Sequence, residues 1–214
     1  MAQPVDRDAG GLLPLPARNA LAELLMDGLR VPGPCRVLES TLALADGGRP
    51  GDASSSAAAT AALRAAGFED AEEWRDRARA KLRAYVRVVA EAPRGISLEV
   101  RLGQARVLFE AGLYFEVHEV LEPAWLTAQG EAKRWLQGVI QAAVAWHHDA
   151  AGNRVGAASL SLSGAEKLAD APAEWHGFPL RAVASAVTLF ADWLAGGETG
   201  PPPSGPFTPS EPAQ

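Results

Sequence analysis

From Ser97 to Leu194, apolar residues return every three or four positions in successive segments parted by short turns, and no run shows a strand-like alternation of any length. Helices joined by short connections must lie antiparallel to their neighbours. Ser97 is placed to cap a segment whose apolar positions are Leu98, Leu102, Ala105, Leu108 and Phe109, ending at Ala111-Gly112. Leu113–Ala128, Ala132–Ala150, Arg154–Ala169 and Pro179–Leu194 follow, with Gly130 and Gly152-Asn153 as breaks. The predicted fold class is all-α, a helical bundle built from successive antiparallel helical hairpins.

The preceding residues, 1–96, read as an N-terminal helical extension. Leu15–Leu29 is a helix by its pattern, Arg36–Leu44 is a short periodic element of open type, and 46–56 is a flexible Gly/Ser-rich segment. From Phe68, the positions Trp74, Ala78, Leu82, Tyr85, Val86 and Val89 predict a long amphipathic helix that Pro93 and Gly95 stop. Its Arg75, Arg77, Arg79, Lys81 and Arg83 alternate with acidic residues, so they read as a solvated face. Residues 97–195 form the helical core domain, and 196–214, with Pro201-Pro202-Pro203, read as a disordered Pro-rich tail. Trp74, Trp135, Trp146, Trp175 and Trp193 are expected as core or half-buried anchors.

Composition removes several function classes. At 214 residues and 48% apolar content the chain can bury a sizeable core. A net charge of -6 and a pI near 5.3 argue against a nucleic-acid binder, which needs basic surface to displace counterions from phosphate. Cys35, the single cysteine, has no metal-ligand companion beside it and reads as an inert thiol in a reducing compartment. Met1–Gly11 lacks the apolar run of a signal peptide, and Trp135–Trp146 is too short and polar to span a bilayer, so a cytoplasmic protein without membrane contact is expected.

The most informative segment is Phe115-Glu116-Val117-His118-Glu119-Val120-Leu121-Glu122-Pro123-Ala124-Trp125. At about 100° per residue, Tyr114, His118, Leu121 and Trp125 share one stripe, so His118 is expected to point inward. Glu122, four residues on, can reach its imidazole, Glu119 lies on the flank, and Glu116 falls on the far, solvated side. On the following helix, Gln137, Gln141, Val144 and His148 make a stripe of their own. If the two helices are neighbours, the stripes can meet and satisfy polar groups that are costly to bury alone. Gly138 would let the backbones approach, and His147, one residue off the stripe, is expected to face solvent.

The run Leu108-Phe109-Glu110-Ala111-Gly112-Leu113-Tyr114 leading into that segment, with Gln137-Gly138-Val139-Ile140-Gln141 and Gly152-Asn153 with Gly156-Ala157, resembles the uncharacterised helical family catalogued as domain of unknown function 309. The resemblance covers roughly Ser97 to Ala169. It implies an all-α fold and places the family's recurrent polar positions on His118, Glu119, Glu122, Gln137, Gln141, His148 and Asn153, but supplies no activity. Pro123 is a local query, because a proline inside a helix removes a backbone bond to Glu119.

Three uses of the cluster stay open. His118, Glu122 and His148 could be a two-histidine, one-carboxylate set for a divalent metal, with Glu119 placed like a general base, as in a metal-dependent hydrolase. The metalloprotease signature, however, needs histidine where Glu122 stands. His118, Glu119, Glu122, Gln137, Gln141 and His148 could instead bind a small polar ligand, or form a hydrogen-bond network that fixes helix register. In the last case the chain is a scaffold or interaction module, working through one groove or a homodimer face.

Overall fold

The computed structural model describes residues 13–31, 33, 35–50, 52–70, 72–197, 200–203 and 205–207. Among them are nine α-helices and no strand, so the fold is all-α. The chain divides into two compact units, Met1–Ile96 and Ser97–Gln214.

The first unit holds α1 (Leu15–Arg30), α2 (Arg36–Ala45), α3 (Ala53–Ala65) and α4 (Arg75–Glu91), with a 3-10 turn at Phe68–Asp70 before α4. Its core is Leu21, Leu25, Leu29, Leu38, Leu82 and Tyr85, each almost fully buried. Helix α3 corrects the sequence reading at two points: 53–56 are helical, and no helix was expected as far as Ala65. The Ala- and Ser-rich segment carries no large apolar residue except Leu63, so it lacks a readable stripe. What starts it is a cap, with the Asp52 carboxylate accepting from Ser55 N–H at 2.9 Å. That bond, with the Ser55 hydroxyl behind it, holds the Asp52 carboxyl below its usual value.

The basic run on α4 also does more than face water. Arg79 Nε donates to Ala45 O at 2.7 Å and Arg83 pairs with Asp46 at 2.7 Å, so α4 closes the C-terminal end of α2. Arg94 performs the same task for α1, its guanidinium donating to the carbonyls of Gly28, Val31 and Gly33. Burial pushes the Cys35 thiol up.

The second unit holds α5 (Leu98–Glu110), α6 (Tyr114–Thr127), α7 (Gly130–Ala150), α8 (Arg154–Leu168) and α9 (Leu180–Ala195). Ser97 caps α5, accepting from Val100 N–H at 3.3 Å. Sequential helices pack as antiparallel hairpins through α8, and a longer connection leads to α9. Trp146 stands at the centre. It stacks on Phe190 of α9 (5.1 Å between centroids) and Tyr114 of α6 (5.9 Å), with Phe109 of α5 edge-on at 6.3 Å. Helix α6 runs through Pro123 to Thr127.

Helices α7 and α8 cross closely because glycines line the contact. A Cβ on Gly164 would lie 3.1 Å from Gly138 O and 3.2 Å from Ala142 N, and one on Gly138 would lie 2.7 Å from Leu168 Cγ. Of the tail expected to be disordered, the described part includes Phe207, whose ring meets Phe109 and Phe178 edge-on at 5.7 Å. Residues 208–214 and the N-terminal residues 1–12 lie outside the described residues.

Candidate functional site

The rotation of α6 decides what its motif can do. The helix buries Glu116, Val117, Val120 and Leu121, while Tyr114, His118 and Trp125 are only half-buried. The inward face is therefore turned from the expected stripe. Glu116, expected on the solvated side, is fully buried, as is Gln104 of α5. One turn from Gln104, Arg101 reaches across the hairpin and donates to Val120 O at 2.8 Å, one turn after Glu116. The burial of Gln104 and Glu116 and the bond from Arg101 across the α5–α6 hairpin are features that the sequence reading missed. The available signal was on α5: Gln104 sits in the stripe Leu102, Ala105, Leu108, and its partner helix had to be rotated to match.

His118 sits on the edge of the bundle, its side chain 30% exposed. Its Nδ1 is 3.1 Å from Glu119 Oε1 and its Nε2 is 3.8 Å from Glu122 Oε1, so both ring nitrogens look at carboxylates of their own helix. The second distance exceeds a hydrogen bond. Phe115 lies between His118 and His147 of α7, with centroid separations of 6.1 and 5.6 Å. His147, expected to face solvent, is therefore the α7 histidine turned toward the motif helix, and it is half-buried.

The polar stripe of α7 belongs to its other neighbour. Lys133, Trp146 and His147 touch α6, through Trp125, Tyr114 and Phe115. Gly138, Gln141 and His148 instead lie against α8, with Gln141 Cβ 3.5 Å from the Cβ that Gly164 lacks. Gln141 Oε1 is shielded from solvent and takes no hydrogen bond from the described residues, and Gln137 is half-buried.

His148 is held at the α7–α8 turn. Asn153 is the N-cap of α8, its Oδ1 accepting from Gly156 N–H at 3.0 Å, and this orients its amide so that Nδ2 donates to His148 Nδ1 at 2.8 Å. Neutral His148 then carries its proton on Nε2. Gly156 makes room for the arrangement, since a Cβ there would lie 2.7 Å from Asn153 Nδ2 and 3.0 Å from His148 Nδ1. The main chain closes the same turn, with Asn153 N–H on His148 O at 2.9 Å.

The structure therefore divides the expected cluster in two. His118, Glu119 and Glu122 stay together on α6, and His148 joins Asn153 and Gly156 at the far flank of α7. The set His118, Glu122 and His148 is not assembled as a metal centre, and among the described residues no three His, Cys, Asp or Glu side chains are grouped to hold a metal ion. Likewise, no helix among those residues is long and apolar enough to cross a membrane.

Comparison of the chain with curated proteins and with solved structures gave no match. The segment in which these polar positions fall is the part of the chain that finds a match: residues 102–160, from Leu102 in α5 to Leu160 in α8, match the model of the family described as Domain of unknown function (DUF309).

Proposed function

We propose that the second unit is a non-enzymatic helical scaffold or interaction module, in which the polar residues of the motif hold neighbouring helices in register. The observation that carries this reading is the Asn153 carboxamide, which caps α8 with its oxygen and fixes His148 of α7 with its nitrogen. Polar side chains that bind each other across a helical turn need no ligand to account for them. A cytoplasmic, reducing setting agrees with the free thiol of Cys35.

A second reading keeps the α6 side chains as a site for a small polar ligand or a divalent cation. It is favoured by the exposure of Glu119 and Glu122, 31% and 43%, beside an imidazole whose nitrogens face both carboxylates. One experiment separates the two: elemental analysis of the untagged protein and of His118→Ala and His148→Ala variants by mass spectrometry, beside their urea unfolding curves. The scaffold reading expects no stoichiometric metal and a loss of stability in His148→Ala. Near-stoichiometric metal that His118→Ala abolishes without unfolding the chain would replace it with the ligand reading.

A further inference from the structure

After α9 the chain turns back on the second unit. Residues 200–203 and 205–207 belong to no helix, and they are held at both ends. At the near end Trp193, in the last turn of α9, donates its indole N–H to Gly200 O at 3.3 Å. At the far end the Phe207 ring meets Phe178, two residues ahead of α9, and Phe109 of α5, both edge-on at 5.7 Å. The Arg106 guanidinium lies over the same ring at 5.7 Å. The segment therefore runs back along α9, from its last turn to its start. Its length fits that path: the seven residues from Gly200 to Phe207 can span about 22 Å in polyproline form, and α9, with 16 residues, is about 24 Å long.

The segment has the chemistry of a bound peptide. Four of its residues are prolines, which lack the N–H that a helix or sheet needs, and none is charged. Extended proline-rich chains are recognised by grooves lined with aromatic rings, and Trp193, Phe178 and Phe109 supply them here. Phe178 and Phe109 are almost fully buried with Phe207 against them, and Phe109 stands edge-on to Trp146, so the socket is floored by the packed core. Gly205 is buried and Phe207 half-buried. We propose that the second unit carries a peptide-binding groove along α9, with an aromatic socket at the last turn of α5, for an extended, uncharged, proline-rich segment that ends in phenylalanine. Residues 200–207 occupy it in cis, as a strap that opens while the helices stay folded. Opening breaks the ring contacts and the Trp193 bond but no bond within a helix. Tethered to α9, the strap is present at its site at about 1 mM, so being seated about ten times in eleven requires a dissociation constant of about 0.1 mM or below.

The proposal goes beyond the scaffold reading and fails separately from it, since it involves neither His118 nor His148. The test is fluorescence anisotropy of a labelled, amidated peptide of residues 200–207, titrated with the full chain and with its Phe207→Ala variant, with far-UV circular dichroism as the folding control. The variant, whose own strap has lost its anchor, is expected to bind the peptide with a dissociation constant of about 0.1 mM or below, and the unaltered chain at least about 10-fold more weakly because its strap competes. A peptide carrying Phe207→Ala is expected to bind neither chain. Equal binding to both chains overturns the proposal, as does a variant that takes up no peptide or a peptide indifferent to the loss of its phenylalanine. Chymotrypsin digestion of the unaltered chain under native conditions does not depend on the variant's folding. The cut after Phe207 is expected while residues 97–195 are still intact, and cuts within those helices that come as early overturn the opening strap.

Discussion

Replacing Asn153 by Ala removes two bonds at once, and the geometry separates their sizes. The cap on Gly156 N–H, 3.0 Å long, leaves an orphan donor in the first turn of α8, a loss of about 1 kcal/mol. The 2.8 Å bond to His148 Nδ1 adds about 0.5 to 1 kcal/mol, toward the low end because Asn153 is exposed and water can take its place. The total is about 1.5 to 2 kcal/mol, which at a urea slope of about 1.5 kcal/mol/M moves the midpoint by about 1 M. His148→Ala loses only the second bond. In the double variant the shared bond is counted once, giving a coupling of about 0.5 to 1 kcal/mol. Tryptophan fluorescence reads the right unit, since Trp125, Trp135, Trp146, Trp175 and Trp193 lie in the second and Trp74 in the first. Additivity to within about 0.3 kcal/mol would refute the latch and remove the main support for the scaffold reading.

Other substitutions probe other steps of the argument. Gly164→Ala gains about 1 kcal/mol of helix propensity but drives a methyl to 3.1 Å from Gly138 O, backbone that cannot swing aside, so a net loss of about 1 to 2 kcal/mol is expected in urea unfolding. Any stabilisation would show that α7 and α8 are not in close contact. Glu116→Ala, in a fully buried site, should cost more than about 2 kcal/mol, and Glu119→Ala, 31% exposed, less than about 1 kcal/mol. The reverse order would restore the stripe first read from the sequence. Asp170 has its carboxyl held low by Arg134, whose Nη2 donates to Oδ2 at 2.8 Å and lies 2.7 Å from Oδ1. A folded value below the unfolded one means that this stabilisation is present at neutral pH and is lost as pH falls through the depressed value, below the ordinary 3.8. In Arg134→Ala, the Asp170 titration followed by carbon NMR should move up toward the ordinary value, and an unmoved curve would refute the pairing.

Helices were legible wherever the sequence supplied both a stripe and a stop. Ser97 with the Leu102, Ala105, Leu108 and Phe109 pattern placed α5, and the Gly152-Asn153 turn placed the start of α8, because caps and glycine turns act locally. Helix α3 was not legible, since alanine and serine give no phase, and its tertiary anchors are small residues such as Ala59. Nor were the arginine clamps. Arg79 on Ala45 and Arg94 on Gly28 link residues far apart in sequence, and a guanidinium seeking a helix C-terminus looks the same in sequence as one seeking water.

The site was harder to read for a related reason. A helix with apolar residues at Tyr114, Val117, Val120, Leu121 and Trp125 supports two overlapping stripes, and the difference between them decides whether Glu116 or His118 is buried. Hydrophobicity favoured neither, because a buried glutamate is an exception to the burial rule that only its surroundings explain. The glycines resolve the matching ambiguity on α7. Gly138 and Gly164 leave no room for side chains between α7 and α8, so that contact is fixed by backbone approach, and Gln141 and His148 must follow it. With Gly156 then making space for Asn153 and His148, the pairing of glycine with polar residues here follows from one requirement, a close helix crossing at whose end Asn153 and His148 satisfy each other.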